Sequence, residues 1–412
     1  MLSPYRVLDL SNERGMLAGQ MLADLGAGVI QIEPPGGSSA RDEPPFANDE
    51  PGADRSLFWW AYARNKRGIT CDIQTAEGQD LIKQLAATAD FLLESGAPGE
   101  MAGLGLGYED LAQVNERLIY ASITPWGQDG PRSAWAASDL ILMAAGGPLF
   151  IAGFPDGAPV RVSVPQAYHH AAADAASAAM IAHMERQRSG RGQYIDVAAV
   201  QSAAAATQSG ILANPIGEAQ PVRAAGGAMM GTLRARIIWP ASDGYVSFTF
   251  LFGTAVGPFT LRMMEWIHEE GMCSEADRDL DWVGFPGLLA SGEVTPDEYE
   301  RIIGVVEAFL ATKTKAELFE EAQRRKLLLV PITNIEDVAT SPQLQARGYW
   351  QETERPDGQG TVRLPGPFVQ FRDNPIQYRR RAPRLGEHNA EVYAELGVDS
   401  AALADLQAKG AI

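Results

Sequence analysis

The first third of the chain alternates short apolar runs with helix-patterned stretches, and such a chain buries its strands most readily in a parallel sheet covered by helices. Arg6-Val-Leu-Asp-Leu10 reads as a strand, Gly15 to Leu25 as a helix, and Gly28 to Glu33 as the next strand, closed by Pro34-Pro35. Gly68 to Ile73 predicts a further strand, Ala76 to Thr88 a helix, and Asp90 to Glu94 and Arg117 to Ile123 two more strands. The fold class is therefore α/β. With 412 residues the chain exceeds what one hydrophobic core usually serves, so two domains are expected.

From Tyr168 to Arg188 the pattern is one long helix, with nine Ala or Ser residues between Ala171 and Ala182. Such small side chains let another backbone pack closely. Arg186 and Arg188 suit the negative end of the helix, and Gly190 can take the left-handed capping conformation. After Gln201 the pattern changes. Ile237 to Phe250 reads as two strands turned at Asp243-Gly244. Thr295-Pro296-Asp297-Glu298 supplies a helix cap, and Thr314 with Glu317 repeats it. These features place a smaller α+β domain at 224–326, between large-domain segments at 1–223 and 327–412. Leu327 to Ile332 is read as a buried strand at the return.

Charge restricts the partners. The 34 Lys and Arg against 52 Asp and Glu give a net charge of −18, which opposes nucleic acid and anionic lipid surfaces. A polyanionic ligand would need a local basic cluster, and the sequence offers Arg64, Lys66 and Arg67, then Arg379-Arg-Arg381 with Arg384. Two cysteines, Cys71 and Cys273, are too few for a disulfide framework or a thiolate metal site and fit a reduced compartment. The opening MLSPYRVLDL lacks a basic region followed by an apolar core, and no apolar run reaches membrane-spanning length, so a cytoplasmic chain without a membrane partner is expected.

Familiar catalytic patterns are missing. Gly103-Leu-Gly-Leu-Gly107 does not match G-x-G-x-x-G, and Tyr108-Glu-Asp110 would set negative charge beside a phosphate, so it reads as a plain turn. His169 and His170 are adjacent and diverge on a helix, where a metal pair needs a spacing of three or four. With no H-E-x-x-H and no C-x-x-C, no metal is expected. No G-x-S-x-G turn supports Ser122 or Ser138 as a nucleophile.

Taken in order, Val7-Leu-Asp-Leu10, Leu22-Ala-Asp-Leu-Gly-Ala27, Asn65-Lys-Arg67, Leu104-Gly-Leu-Gly-Tyr108, Gly127-Gln-Asp-Gly-Pro131, Ser189-Gly-Arg-Gly-Gln193 and Ala382-Pro-Arg-Leu-Gly-Glu-His388 resemble the family III CoA-transferases. That group includes formyl-CoA transferase, carnitine CoA-transferase and the methylacyl-CoA racemases. The resemblance implies a Rossmann-like large domain built from both chain ends, a smaller middle domain, and an interlocked dimer. It also implies a mechanism in which an Asp attacks an acyl-CoA thioester to give a mixed anhydride. Coenzyme A returns to form an enzyme thioester, and the acceptor carboxylate displaces it. The racemases use the same Asp for proton transfer.

The family motif reads proline, two residues, then Asp. Counting forward from Pro165, or back from Ser189-Gly-Arg-Gly-Gln193, reaches Tyr168 in this chain. A phenol with an ordinary pKa of about 10 is a weak nucleophile at neutral pH. His169 could act as a base but would have no nucleophile to serve, and Asp174, six residues on, lies about 240° around the helix. Basic residues that relatives can place against coenzyme A are replaced by Pro34, Gln74 and Gly103. Arg41, Lys66 and Arg67 remain as the cofactor-binding candidates. By resemblance, the chain is expected to be a non-catalytic subunit paired with a homologous catalytic subunit that carries the Asp, as in benzylsuccinate CoA-transferase of anaerobic aromatic degradation. A coenzyme A thioester such as succinyl-CoA would be the substrate of the complex, with no tightly bound cofactor. Phe58-Trp-Trp60 and Phe248-Thr-Phe250 are compatible with an aromatic acceptor but read more readily as core. An active homomeric transferase, racemase or lyase with a relocated catalytic residue is the alternative, and a binding or regulatory protein that kept the fold is the third reading.

Overall fold

The computed structural model describes residues 1–230 and 233–412, without the side chains of 228–230 and 233–234. Six strands, β1 (Arg6–Leu10), β2 (Gly28–Glu33), β3 (Arg67–Thr70), β4 (Phe91–Glu94), β5 (Ile119–Thr124) and β6 (Tyr194–Ala198), form one sheet in the order β3-β2-β1-β4-β5-β6. Every neighbouring pair is parallel. This doubly wound order reverses between β1 and β4, and ligands of such sheets bind outside the carboxyl ends of the strands at that point.

Helices α1 (Met16–Asp24), α2 (Leu57–Tyr62), α3 (Ala76–Ala86), α4 (Glu100–Gly103), α5 (Tyr108–Val114), α6 (Asp139–Ala145) and α7 (Ala167–Ser189) surround this sheet. Alternation along the strands sorts side chains to its two faces. Val7, Val29, Phe91, Leu93, Ala121 and Ile123 pack with α1 and α7, whereas Leu8, Ile30, Ile69, Leu92 and Tyr120 pack with α3 and with Val392 and Tyr393 from the C-terminal segment. Ala171, Ala175 and Ala179 of α7 are fully buried, which is what lets this helix lie close to its neighbours.

The end of α7 explains the Ser-Gly-Arg-Gly-Gln motif. Gly190 takes φ 77° and closes the helix. Gly192 serves closeness instead, because a Cβ there would stand 1.9 Å from the Leu118 carbonyl oxygen. Its N–H donates to Glu116 at 2.9 Å, and Gln193 then receives the Tyr120 N–H at 3.0 Å, so the chain enters β6 in register with β5. Arg186 is not a solvated dipole partner. It is buried and donates to the carbonyls of Asp90 and Arg117 at 2.9 Å each, tying the last turn of α7 to the entries of β4 and β5.

The Ala382–His388 motif covers the free edge of β3. His388 donates its N–H to Gly68 at 2.9 Å and accepts the Gly68 N–H on Nδ1 at 3.1 Å, while Asn389 accepts from Thr70. An open edge would otherwise invite pairing with another chain.

One compact unit comprises Met1–Phe150, Arg161–Gln220 and Pro342–Ile412, and the other comprises Ile151–Val160 and Pro221–Ser341. In the second, the hairpin β7 (Gly227–Met230) and β8 (Leu233–Arg236) precedes β9 (Ile238–Ala241), β10 (Gly244–Phe248) and β11 (Leu329–Ile332). The last three form an antiparallel sheet around Trp239, Phe248 and Phe250. Two features depart from the sequence reading. The second unit runs to Ser341 rather than 326, because the apolar run expected to rejoin the large domain pairs with β10 instead, Leu329 opposite Phe248. It also takes in the short segment Ile151–Val160. Thr295 and Thr314 cap their helices by accepting the N–H of Glu298 and Glu317, both at 3.2 Å.

Gly192→Ala is expected to cost more than about 2 kcal/mol, since the methyl group collides with backbone and not with a movable side chain. Gly190→Ala should cost about 1–2 kcal/mol for a left-handed alanine. Urea unfolding of the two variants checks both size and order.

Candidate functional site

Lys66 is fully buried at the head of β3 and reaches beneath β2 to β1. Its ammonium donates to Asp9 Oδ2 at 2.7 Å, to Gln31 Oε1 at 2.9 Å and to the Met16 carbonyl at 3.0 Å. Asp9 Oδ1 accepts from the N–H of Ser11 at 3.0 Å and from its hydroxyl at 2.5 Å. Gln31 completes the net through donations to the carbonyls of Asp9 and Ser11. Burial pulls the Lys66 pKa down, and Asp9 opposes it. Gly19 is required alongside, since a Cβ there would lie 1.9 Å from Asp9 Oδ2. This net fixes the β1–α1 turn, at the carboxyl end of β1.

Arg41 is equally committed. Its Nε and one Nη2 hydrogen grip Glu33 bidentately at 2.6 and 2.9 Å, its Nη1 reaches Asp54 and the Ala53 carbonyl at 3.0 Å each, and Nη2 also reaches the Pro383 carbonyl at 3.2 Å. The guanidinium lies 3.8 Å above the Trp59 ring. A lysine has three donors and an arginine five, so neither Lys66 nor Arg41 has one left for a ligand. Both cations, expected from the sequence to meet coenzyme A, are hydrogen-bonded within the chain. Arg67 pairs with Glu391 at 2.9 Å and Glu395 at 2.5 Å and is only part-exposed. Of the second basic group, Arg379 donates to the Ala23 carbonyl at the end of α1, and Arg381 pairs with Glu387.

Tyr168 sits in the first turn of α7 and belongs to the buried cluster between that helix and the sheet. Its hydroxyl donates to the Ala137 carbonyl at 3.3 Å, and the Arg14 guanidinium, from the β1–α1 turn, lies 5.6 Å from its ring centroid. Burial raises the phenol pKa, outweighing Arg14, so the hydroxyl is neutral at physiological pH. A carboxylate does stand at the start of this helix, but it arrives from elsewhere. Asp139 Oδ1 accepts the N–H groups of Gln166 and Ala167 at 2.6 and 2.7 Å, satisfying two of the free donors of α7.

His169 Nδ1 lies 3.1 Å from the Pro165 carbonyl and Nε2 lies 2.9 Å from the Tyr62 hydroxyl. An Nδ1–H donated to the carbonyl leaves Nε2 to accept from Tyr62. Burial lowers the imidazole pKa, which keeps the ring neutral, and the rings of Phe58 and Tyr62 flank it at 6.5 and 5.2 Å. Asp174 is exposed on a different side of the helix from buried Tyr168. The structure thus brings Tyr168, His169 and Arg14 together, leaves Asp174 apart, and places no carboxylate at position 168. Sequence reasoning missed Asp139, Tyr62 and Arg14. Asp139 directly follows Ser138 at the head of α6, and only that pairing of a capping residue with an acid marks it. Phe58 lines this site, whereas Trp59 and Trp60 are core.

A doubly wound parallel sheet with its crevice at β1 and β4, covered by a long alanine-rich helix, defines a Rossmann-like α/β architecture. The sequence profile of CoA-transferase family III matches residues 2–389, and the chain belongs to that family. It is 33% identical, over 100% of this chain and 98% of the other, to the succinyl-CoA:(R)-benzylsuccinate CoA-transferase subunit BbsE of Thauera aromatica. It is also 33% identical to the succinate–glutarate CoA-transferase of Agrobacterium fabrum, covering 96% and 95% of the two chains. The crystal structure of a CAIB/BAIF family protein from Brucella suis superposes with a TM-score of 0.82 at 27% identity, covering 96% of this chain and 99% of that one. Among the described residues no group of three His, Cys, Asp or Glu side chains is placed to hold a metal, and no helix is long and apolar enough to cross a membrane.

Lys66→Met should destabilise the large unit by about 3–5 kcal/mol, because it leaves the Asp9 carboxylate buried without its cation. Urea denaturation followed by tryptophan fluorescence measures this. A loss below about 1 kcal/mol would mean the pair is solvated in solution.

Proposed function

We propose that this chain is the non-catalytic subunit of a heteromeric CoA-transferase. The complex moves coenzyme A from an acyl-CoA thioester, succinyl-CoA, to a carboxylic acid of the aromatic succinate type. A homologous catalytic subunit carrying the nucleophilic Asp is the partner. The observation that carries this reading is Tyr168, a buried neutral phenol at the position of the family nucleophile, with its hydroxyl satisfied by the Ala137 carbonyl.

Three further observations support it. The cations nearest the expected coenzyme positions are spent on internal carboxylates. The likeness to BbsE, itself a subunit, runs the length of the chain, and several relatives are named as succinyl-CoA enzymes. Large apolar side chains lie open on α7 and on the short helix Gln208–Ala213, with Ile181 68%, Met184 71% and Leu212 64% exposed, as a surface covered by a partner would be. An interlocked pairing of two homologous chains in the cytoplasm would cover such a face.

The test is reconstitution. The chain purified alone should show no exchange of coenzyme A between succinyl-CoA and benzylsuccinate, and activity should appear when a homologous Asp-bearing subunit is co-expressed with it. Normal turnover by the isolated chain would overturn the assignment. Tyr168→Asp alone is expected to remain inactive, with no hydroxylamine-trapped peptide at position 168, because Asp139 already takes the helix N–H groups and Arg14 alone would face the new carboxylate. Turnover by that single variant would show an intact site awaiting only its nucleophile.

A further inference from the structure

Glu94 ends β4 and faces away from Tyr168. The registers Leu92–Tyr120–Tyr194 and Glu94–Ser122–Asp196 across β4, β5 and β6 put these side chains on one face of the sheet. That face is the one carrying Leu8, Leu92 and α3, whereas α7 covers the other. Beside it lies a cavity of ≈ 220 Å³ lined by Glu94, Ser122, Tyr108, Tyr120 and Tyr194, with Glu109 and Asp110 of α5.

The polar groups of this cavity point in one direction. Tyr194 donates its hydroxyl to Ser122 Oγ at 3.1 Å, Ser122 donates to Glu94 Oε1, and the Gly96 N–H donates to Glu94 Oε2 at 2.7 Å. Both hydroxyl protons are thereby spent toward one carboxyl that is 3% exposed. The three tyrosine rings form a continuous wall, with centroids 5.8 Å apart for Tyr108–Tyr194 and Tyr120–Tyr194 and 6.3 Å for Tyr108–Tyr120. No Lys, Arg or His lines the space.

We propose that this cavity binds a small organic ammonium ion. Ring faces and carboxylate oxygens both present negative charge, and together they attract an alkylated cation that a single carboxylate would leave partly in water. An anion would meet no positive side chain there, and a neutral hydrocarbon would leave Glu94 without a countercharge. The volume is below the usual range for drug-sized ligands, so the ion is small. Ionisation of Glu94 sets the pH response. Its pKa is pushed up to about 7, chiefly by burial and to a smaller extent by Glu100 and Asp196, against the donations of Ser122 and Gly96. The groups facing it from α4, α5, β5 and β6 are Glu100, Tyr108, Glu109, Asp110, Tyr120, Tyr194 and Asp196, which include no cation. Binding therefore strengthens as pH rises through 7, where the carboxylate form takes over. The proposal does not depend on the role assigned to Tyr168.

Titration calorimetry of the full chain with tetramethylammonium chloride tests this, with tert-butanol as the uncharged isostere and sodium chloride at matched ionic strength. Saturable binding of one tetramethylammonium per chain is expected, stronger at pH 8 than at pH 6 and absent for tert-butanol. Glu94→Gln, whose amide oxygen can still accept from Ser122, should weaken binding about tenfold and abolish the pH response. Tyr194→Leu, at a part-exposed edge position, should weaken it several-fold by a route that leaves Glu94 in place. Absence of saturable tetramethylammonium binding, equal binding of tert-butanol, or unchanged affinity in the folded Glu94→Gln and Tyr194→Leu proteins would each overturn the proposal.

Discussion

The buried ammonium of Lys66 holds three strands and a helix to one geometry. It starts on β3, passes Gln31 of β2, meets Asp9 of β1 and ends on the first carbonyl of α1. Removing both charges from water costs several kcal/mol each, and their attraction repays this only when every remaining donor and acceptor is matched. Here they are matched, through Ser11 and Gln31. A slip of one residue in β1 would carry Asp9 to the opposite face and leave Lys66 alone in the core, so the pair penalises wrong registers more than it stabilises the right one. The crevice at β1 and β4 inherits its shape from this arrangement.

The same economy governs two other buried cations, one at each end of the sheet. Arg41 closes on Glu33 at the end of β2, and Arg186 joins Asp90 at the entry of β4. In a chain of net charge −18, each of these cations takes a carboxylate partner with it, so the pairs offset none of the remaining negative charge. For a polyphosphate ligand this matters twice, since the field repels it on approach and neither Lys66 nor Arg41 is a free cation at the site. Arg14, which is 35% exposed and only 3.8 Å from Glu13 at its closest, is the nearest approach to one.

The sheet was legible because period and punctuation agree. Gly28 to Glu33 ends at Pro34, Gly190 and Gly192 follow the alanine-rich helix, and the threonine caps precede their helices. What stayed hidden depends on partners distant in sequence. Lys66 and Asp9 are 57 positions apart, and nothing local distinguishes a cation that reaches a ligand from one that reaches its own core. Asp139 caps a helix 28 residues later, beyond the range of any capping box. Leu329–Ile332 is apolar enough to be buried in either unit, and only its pairing with Tyr245–Phe248 decides which. The candidate site was therefore legible in its residue types and much less so in what each residue touches.

Tyr168 is accommodated and not merely tolerated. Its ring fills space among Ala171, Ala172 and the neighbouring layer, its hydroxyl has an acceptor, and Arg14 lies over one face. A carboxylate in its place would be shorter, would leave a gap in the cluster, and would stand beside Asp139, which already occupies the helix N-terminus. Two carboxylates competing for one positive helix end raise one another's pKa, and burial adds to the rise. With the amides of Gln166 and Ala167 taken, Arg14 alone would remain to hold the new anion. A nucleophile needs the opposite conditions, a free lone pair held ionised by uncommitted donors. The surroundings of position 168 suit a neutral aromatic residue, and the same committed neighbours that accommodate Tyr168 would work against a carboxylate there.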